Sequence, residues 1–96
     1  MTVYALAQLR IHDRAPYERY MARFMPVLQK YNGRLLASDE QPRVLEGQWW
    51  DRNKVVLLAF EDAEAFRAWA TSSEYAEIAE ERKAGAEAVV LLIKGL

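Results

Sequence analysis

The 96 residues of this chain are enough for one compact domain and too few for two, so we expect a single domain over residues 1–96. A formal net charge of −1 argues against nucleic acid or an anionic membrane surface as the main partner. The sequence contains no cysteine, which excludes disulfide and thiolate chemistry and fits a reducing compartment, expected to be the cytoplasm.

Apolar residues make up 52% of the chain, more than a small half-exposed domain usually needs. A second buried face, supplied by a partner subunit, would account for this excess. The first residues lack a basic region followed by an apolar run, so no secretory signal is expected. The longest apolar runs, residues 55–60 and 88–93, are too short to span a bilayer.

The first predicted element is a strand over residues 3–11, a segment without glycine or proline. Successive side chains of a strand point to opposite faces. One face carries Val3, Ala5, Ala7, Leu9 and Ile11, and the other carries Tyr4, Leu6, Gln8, Arg10 and His12.

A helix is predicted next, with Asp13 as its N-cap and Pro16 in its first turn. Pro26 removes one backbone hydrogen bond and is expected to kink or tighten the helix. Asn32-Gly33 is a stop signal, in which the glycine would adopt the left-handed conformation. The apolar stripe at helical spacing consists of Tyr17, Tyr20, Met21, Phe24, Val27, Leu28 and Tyr31.

Three strands are predicted in the middle of the chain. Residues 34–37 form the first, and a polar, proline-containing turn follows it. Residues 44–50 form the second, in which Gly47 would mark a bulge or a close approach. The third covers residues 54–61; its continuous apolar run is typical of a central strand covered on both faces.

The last third of the chain is predicted to contain two helices and a strand. Asp62 would cap a helix over residues 63–70, and Thr71 would open a capping box for a second helix that ends near Gly85. Residues 88–93 form the closing strand. The order β-α-β-β-β-α-α-β predicts an α+β, ferredoxin-like domain with a split βαβ pattern, an antiparallel sheet and helices on one face.

Such a sheet leaves its second face uncovered, and apolar residues such as Tyr4 and Leu6 would lie there. Packing two of these faces together would make an isologous homodimer. The polar residues Gln8 and Arg10 of the same face would then line an interior cavity or its mouth.

Short motifs distributed over nearly the whole chain carry a family resemblance through their order and spacing. They are Tyr17-x-x-Tyr20, Tyr31-Asn32-Gly33-Arg34, Leu45-Glu46-Gly47-x-Trp49, Val55-Val56 through Phe60, Ala65-x-x-x-Trp69, Ser73-Glu74-Tyr75 and Arg82. Together they resemble an uncharacterised family of the dimeric α/β-barrel superfamily, named domain of unknown function 1330.

The resemblance implies a ferredoxin-like subunit of a dimeric α/β barrel and no established activity. Relatives in the superfamily include cofactor-independent monooxygenases, lactone isomerases and haem enzymes, an analogy at the level of the fold. This chain departs from the family in two places. Asn32-Gly33 stands where Gly-Gly is usual, and residues 39–42 stand where glycines are common, so a site beside that turn would differ in shape.

His12, Glu46 and Arg82 are the candidates for catalysis. His12 is the only histidine; it is either a general base or, as we favour, an exposed loop residue beside a helix cap. Glu46 and Arg82 would either orient a polar ligand or form an ion pair that ties a strand to a helix. The structural role is slightly favoured for this pair.

Arg10, Trp49, Ser73 and Tyr75 are the candidates for substrate binding. The hydroxyls of Ser73 and Tyr75 could contact a ligand, although starting a helix and packing in the core are simpler roles. Trp49 and Trp50 alternate along a predicted strand, so at most one of them would line a pocket.

No metal and no cofactor are predicted, because the chain has one histidine, no cysteine and no acidic cluster with ligand spacing. A glycine-rich phosphate loop is also missing from the sequence. We expect a small apolar pocket between sheet and helices that binds or transforms a small, partly apolar organic molecule. The alternative is a non-catalytic module that binds a metabolite or another protein.

Overall fold

Within residues 1–49 and 51–96, which are the part of the chain that the computed structural model describes, four strands form one antiparallel sheet and three helices pack on one of its faces. The strands are β1 (Val3–Ile11), β2 (Arg34–Asp39), β3 (Lys54–Phe60) and β4 (Ala86–Lys94), and the helices are α1 (Arg14–Lys30), α2 (Ala63–Ala70) and α3 (Ser73–Gly85). The strand order is β2-β3-β1-β4, so each helical connection crosses one strand. This is the ferredoxin-like arrangement predicted from the sequence.

The alternation of β1 divides its side chains as predicted. Val3, Ala5 and Leu9 are buried beneath the helices, whereas Tyr4 and Leu6 point to the opposite face and are partly exposed. β1 is antiparallel to β3 along one edge and to β4 along the other. The residues of β1 therefore supply the centre of both faces of the sheet.

The core lies between the helices and the sheet. Its most deeply buried large side chains are Tyr17 and Leu28 of α1, Phe60 of β3 and Ile78 of α3, each less than 2% exposed. Burying a side chain of this size contributes about 1.5–3 kcal/mol. These contacts explain why the helical stripe predicted in residues 17–31 is apolar.

The opposite face of the sheet is open in the single chain. Val89, Leu91 and Ile93 of β4 lie on it and are 42%, 47% and 41% exposed. Leu6 of β1 is paired with Leu91 there. β3, for which the sequence predicts cover on both faces, is covered by helices on one face only.

The end of α1 differs from the prediction in the residue that adopts the left-handed conformation. Asn32 has a φ of 61°, which asparagine tolerates, and Gly33 does not have a positive φ. Gly33 is required for space instead. A Cβ added to it would overlap Leu28 and lie 2.7 Å from Phe60 Cε1, so glycine lets the backbone pass close to the core.

The prediction of a strand over residues 44–50 is wrong for residues 44–49, which are irregular. Val44 and Leu45, the apolar pair that suggested a strand, are 51% and 85% exposed. Gly47 has a φ of 85°, a backbone conformation that favours glycine. A Cβ added to it would meet nothing within 4 Å, so the glycine is needed for its backbone conformation and not for a close approach, and the predicted bulge is absent because this segment is not a strand. Without burial, alternation alone does not stabilise a strand.

β2 and β4 are longer than predicted. β2 reaches Asp39 and contains a register shift between Leu35 and Ala37. β4 covers Ala86–Lys94 because it pairs with the whole length of β1.

The cap of α3 is Ser72, and the predicted capping role of Thr71 is wrong. The Ser72 hydroxyl accepts a hydrogen bond from the Tyr75 backbone N–H at 3.0 Å and donates one to the Trp69 carbonyl at 2.8 Å. Thr71 ends α2 instead, and its hydroxyl donates to the Arg67 carbonyl. Ser72 thereby links the turns that hold Trp69 and Tyr75.

We predict that Gly33→Ala lowers the free energy of unfolding by about 1–3 kcal/mol, because the added methyl group overpacks the core against Leu28 and Phe60. Asn32→Gly is the matched control: glycine adopts a positive φ freely, so stability should change by less than about 1 kcal/mol. Urea unfolding followed by circular dichroism measures both. Wild-type stability in Gly33→Ala would contradict the close approach.

Candidate functional site

A cavity of about 170 Å³ lies between the helices and the sheet. Small side chains leave this space on the sheet side: Ala5 and Ala7 of β1 and Ala88 of β4. Large rings face them from the helices, among them Phe24 of α1 and Trp69 of α2. Alanines at the centre of the sheet do not fill the layer beneath the helices, so the cavity follows from the residues of the central strand.

Two tyrosine hydroxyls meet at the wall of this cavity. The hydroxyl oxygens of Tyr20 on α1 and Tyr75 on α3 are 3.1 Å apart and form a hydrogen bond. The ring of Tyr75 also packs on that of Trp69, with centroids 4.1 Å apart. The Ser72 cap and this ring contact together fix the position of Tyr75.

Two nitrogen donors of cavity-lining residues have no partner among the described residues. Trp69 is 5% exposed, and its indole Nε1 is buried; so is the Nε of Arg82. The ion pairs within residues 1–49 and 51–96 use other cations, namely Arg10, Arg14, Arg19, Arg23 and Lys30. Buried donors of this kind are normally satisfied.

Two tyrosines of the cavity, Tyr17 and Tyr20, have raised pKa values. Burial raises the pKa of Tyr17 to about 12 and raises the pKa of Tyr20 still further above the ordinary value of 10.0. The positive charge of Arg82 lowers both pKa values but is outweighed by burial. At neutral pH these two hydroxyls therefore stay protonated and can donate hydrogen bonds.

Lys54 is a buried cation beside the cavity that was not predicted as a site residue. It is 3% exposed. Its Nζ lies 4.8 Å from the centroid of the Tyr17 ring and 3.7 Å from Met21 Sδ. Burial lowers its pKa. Strand parity could have revealed its position, because Lys54 pairs with Leu9 on the helix side of the sheet.

The structure brings two of the predicted site residues, Arg82 and Tyr75, to the cavity. Ser73, also predicted for binding, is exposed at the first position of α3. Glu46 is exposed in the irregular segment after β2, and it forms no ion pair with Arg82. His12 is exposed directly after β1.

Arg10 and Trp49 lie together on the open face of the sheet, away from the cavity. The Trp49 indole donates to Gln8 Oε1 at 3.1 Å. Arg10 donates to Glu87 and lies 3.4 Å from Asp51. Hydrogen bonding from Arg10 lowers the pKa of Glu87. The other half of the predicted tryptophan pair, residue 50, lies outside the described residues.

Tyr20, Trp69 and Lys54 were missed as site residues. Tyr20 and Trp69 follow the apolar spacing of their helices, and spacing does not distinguish a ring that fills a core from one that borders a hole. Among the described residues, no group of three or more His, Cys, Asp or Glu side chains could hold a metal ion, and no helix has the length and hydropathy to cross a membrane.

The strand order, the helices on one face and the cavity beneath them define a ferredoxin-like domain of the kind found in dimeric α/β-barrel proteins. The family model described as Domain of unknown function (DUF1330) matches residues 2–96. The chain belongs to this family. No curated protein matches it.

Solved structures share the fold at low sequence identity. A protein of unknown function from Rhodopseudomonas palustris has a TM-score of 0.81 and 18% identity, with 99% of this chain and 82% of that chain covered. SnoaB from Streptomyces nogalater, described as a cofactor-independent oxygenase, has a TM-score of 0.72 and 18% identity over 99% of this chain and 93% of its own.

A third similar structure is a protein of unknown function from Jannaschia sp. that is described as dimeric and ferredoxin-like. Its TM-score is 0.72 at 19% identity, with 99% of this chain and 100% of that chain covered. At these identities the likeness shows the fold alone.

We predict that the protein loses stability as the pH rises from 10 to 12. An unfolded tyrosine ionises near pH 10, while burial keeps Tyr17 and Tyr20 protonated in the folded state. The folded state then binds more protons, so each group lowers the free energy of unfolding by about 1.4 kcal/mol per pH unit. Below pH 10 both states are protonated at these tyrosines, so the stability that the raised pKa values contribute is fully present there.

Tyr20→Phe removes one of the two tyrosines with a raised pKa. Between pH 10 and 12 its free energy of unfolding should therefore fall less steeply with pH, by about 1.4 kcal/mol per pH unit. Chemical unfolding at several alkaline pH values measures the slope, and unfolding at pH 7 measures separately the loss of the bond to Tyr75. The same alkaline slope in both proteins would show that the Tyr20 hydroxyl is accessible to ionisation.

Proposed function

We propose that the protein binds a small, largely apolar organic molecule in the cavity between helices and sheet, as a subunit of a homodimer. The cavity itself carries this proposal. Its wall is almost entirely apolar, and it includes residues that carry hydrogen-bonding groups, Arg82, Trp69, Tyr20 and Tyr75 among them. An apolar pocket with few polar groups is the usual form of a small-molecule site.

Binding and orientation are the roles that the lining supports best. Among the described residues, no carboxylate and no histidine lines the cavity. The raised pKa values of Tyr17 and Tyr20 suit them to donate hydrogen bonds and not to remove a proton.

Turnover without a cofactor is the second candidate function. The likeness in fold to SnoaB, a protein described as a cofactor-independent oxygenase, favours it. His12 and Glu46 remain predicted catalytic residues for this case, although neither lines the cavity of the single chain. A module that only binds another protein would leave the cavity without a role.

The open face of the sheet supports the homodimer. Val89, Leu91 and Ile93 form an apolar stripe there with Tyr4 and Leu6 of β1. The Jannaschia protein, which has the same fold, is described as dimeric. We place the second copy on this face, with Arg10 and Trp49 near the edge of the contact. A cytoplasmic location without nucleic-acid or membrane partners stays a prediction from the composition.

Ligand binding is testable by thermal shift against small organic acids, quinones and lactones. At ten times its Kd, a ligand adds about 1.4 kcal/mol, which raises the Tm of a domain of this size by several degrees. Ala7→Leu should abolish the shift because it fills the cavity from the sheet side. Ala76→Leu, exposed on α3, is the control that keeps it. A shift that persists in Ala7→Leu would move the site elsewhere.

The dimer is testable by light scattering coupled to size exclusion at micromolar concentration. The wild type should have twice the mass of the chain. Leu91→Arg should give a monomer, because it places a charge in the centre of the apolar contact. Leu45→Arg, in an exposed loop, should stay dimeric. A monomeric wild type would overturn the assembly and leave the cavity proposal standing.

A further inference from the structure

Two of the hydrogen-bonding side chains around the cavity are donors only, and the others are hydroxyls that can donate or accept. An arginine guanidinium and a tryptophan indole can only donate, and both Arg82 and Trp69 have an unpartnered buried nitrogen within the described part of the chain. Tyr20 and Tyr75 bond to each other, so one hydroxyl of the pair retains a proton to donate. No Asp or Glu is among the described residues that line the space. The complementary ligand therefore presents acceptors.

Arg82 is the one cation of the described cavity wall, and no described residue supplies its counterion. Three of the four acidic residues of its own helix are engaged with α1 on the outside of the molecule, and the fourth, Glu80, is exposed. These pairs are Glu74 with Lys30, Glu77 with Arg23 and Glu81 with Arg19. A half-buried guanidinium without a carboxylate is unfavourable unless something else neutralises it.

A second cation lies over the Tyr17 ring. Lys54 contacts Tyr17 and Met21, both of which line the cavity. The nearest acidic groups that act on it are Glu40 and Glu18, and both are bonded to Arg14. Neither Arg82 nor Lys54 forms an ion pair with a carboxylate among the described residues.

The rest of the wall is apolar and the space is small. About 170 Å³ is below the roughly 300 Å³ at which sites for drug-sized molecules begin. Phe24, Phe66 and Trp69 offer ring faces and edges to an occupant of this size. One aromatic ring or a short acyl chain with a single polar end fits this description.

We propose that the ligand of the cavity is a small organic anion, an aromatic or acyl body with one carboxylate or enolate, whose oxygens are bound by Arg82, the Trp69 indole and the Tyr20–Tyr75 pair. This rests on the proposed binding function and goes beyond it by assigning the charge and the polar group of the ligand. Arg82 donates the charge-assisted hydrogen bond to the ligand's oxyanion, and the neutral donors supply the remaining hydrogen bonds to its oxygens.

Benzoate and benzamide form a matched pair of probes, since they share shape and differ in charge. Calorimetry at neutral pH should show at least about tenfold tighter binding of benzoate, the factor expected when one charge-assisted bond is lost. A hydroxynaphthoquinone, which is an enolate at neutral pH, and its methyl ether test the other oxyanion in the same way. Preference for one anion over the other identifies which of the two the site takes.

Arg82→Met should remove this discrimination by weakening benzoate about tenfold with little effect on benzamide. Arg67→Met is the control, since Arg67 is exposed on α2. If Arg82→Met does not fold, Trp69→Phe keeps the ring and removes one donor, and it should weaken benzoate alone by about threefold.

Equal binding of benzoate and benzamide by the wild type would overturn the anion assignment and leave the small-molecule function intact. If none of the four probes binds at millimolar concentration, both the anion assignment and the small-molecule function are contradicted. Retention of the full preference for benzoate in Arg82→Met would also overturn the assignment.

Discussion

The central strand β1 carries the constraint on which the rest of this structure depends. It is hydrogen-bonded to β3 and β4 along its length, so the side chains of its two faces belong to two different layers. On the helix side Ala5 and Ala7 are too small to fill the layer, and a cavity results. On the other side Tyr4 and Leu6 continue an apolar surface. One nine-residue strand thus determines the pocket and the face available to a second copy.

The chemistry of the cavity follows from what the helices place around it. Ser72 joins the end of α2 to the start of α3 and so brings Trp69 next to Tyr75. Tyr20 reaches the same point from α1. Burial raises the pKa of Tyr20 and so keeps its hydroxyl protonated, and the buried Nε1 of Trp69 and Nε of Arg82 have no acceptor among the described residues. Unsatisfied buried donors are unfavourable, so the proposed ligand, with its acceptor oxygens, would gain from binding there.

Much of the fold was predictable because its signals are local. Asp13 and Asp62 cap their helices as expected, and α2 has the predicted bounds. The errors fall where tertiary packing decides. The apolar residues 44 and 45 suggested a strand but are exposed in a loop. Gly33 looked like a left-handed stop, whereas its role is to leave room for Leu28 and Phe60, which only the folded core reveals.

The sequence by itself determined the order of the three helices and the four strands of the sheet, apart from one strand predicted wrongly, together with the two faces of β1, the family and the presence of apolar surface in excess. Hydrophobic periodicity and helix capping depend on residues that are close in the sequence, so they can be recognised without the tertiary structure. Only the tertiary structure decided which polar residues meet. It placed Arg82 and Tyr75 at the cavity with Tyr20 and Trp69, and left Arg10 and Trp49 on the opposite face. Convergence of this kind depends on the packing of α1 and α3 over the sheet, since their residues are more than fifty positions apart in the chain.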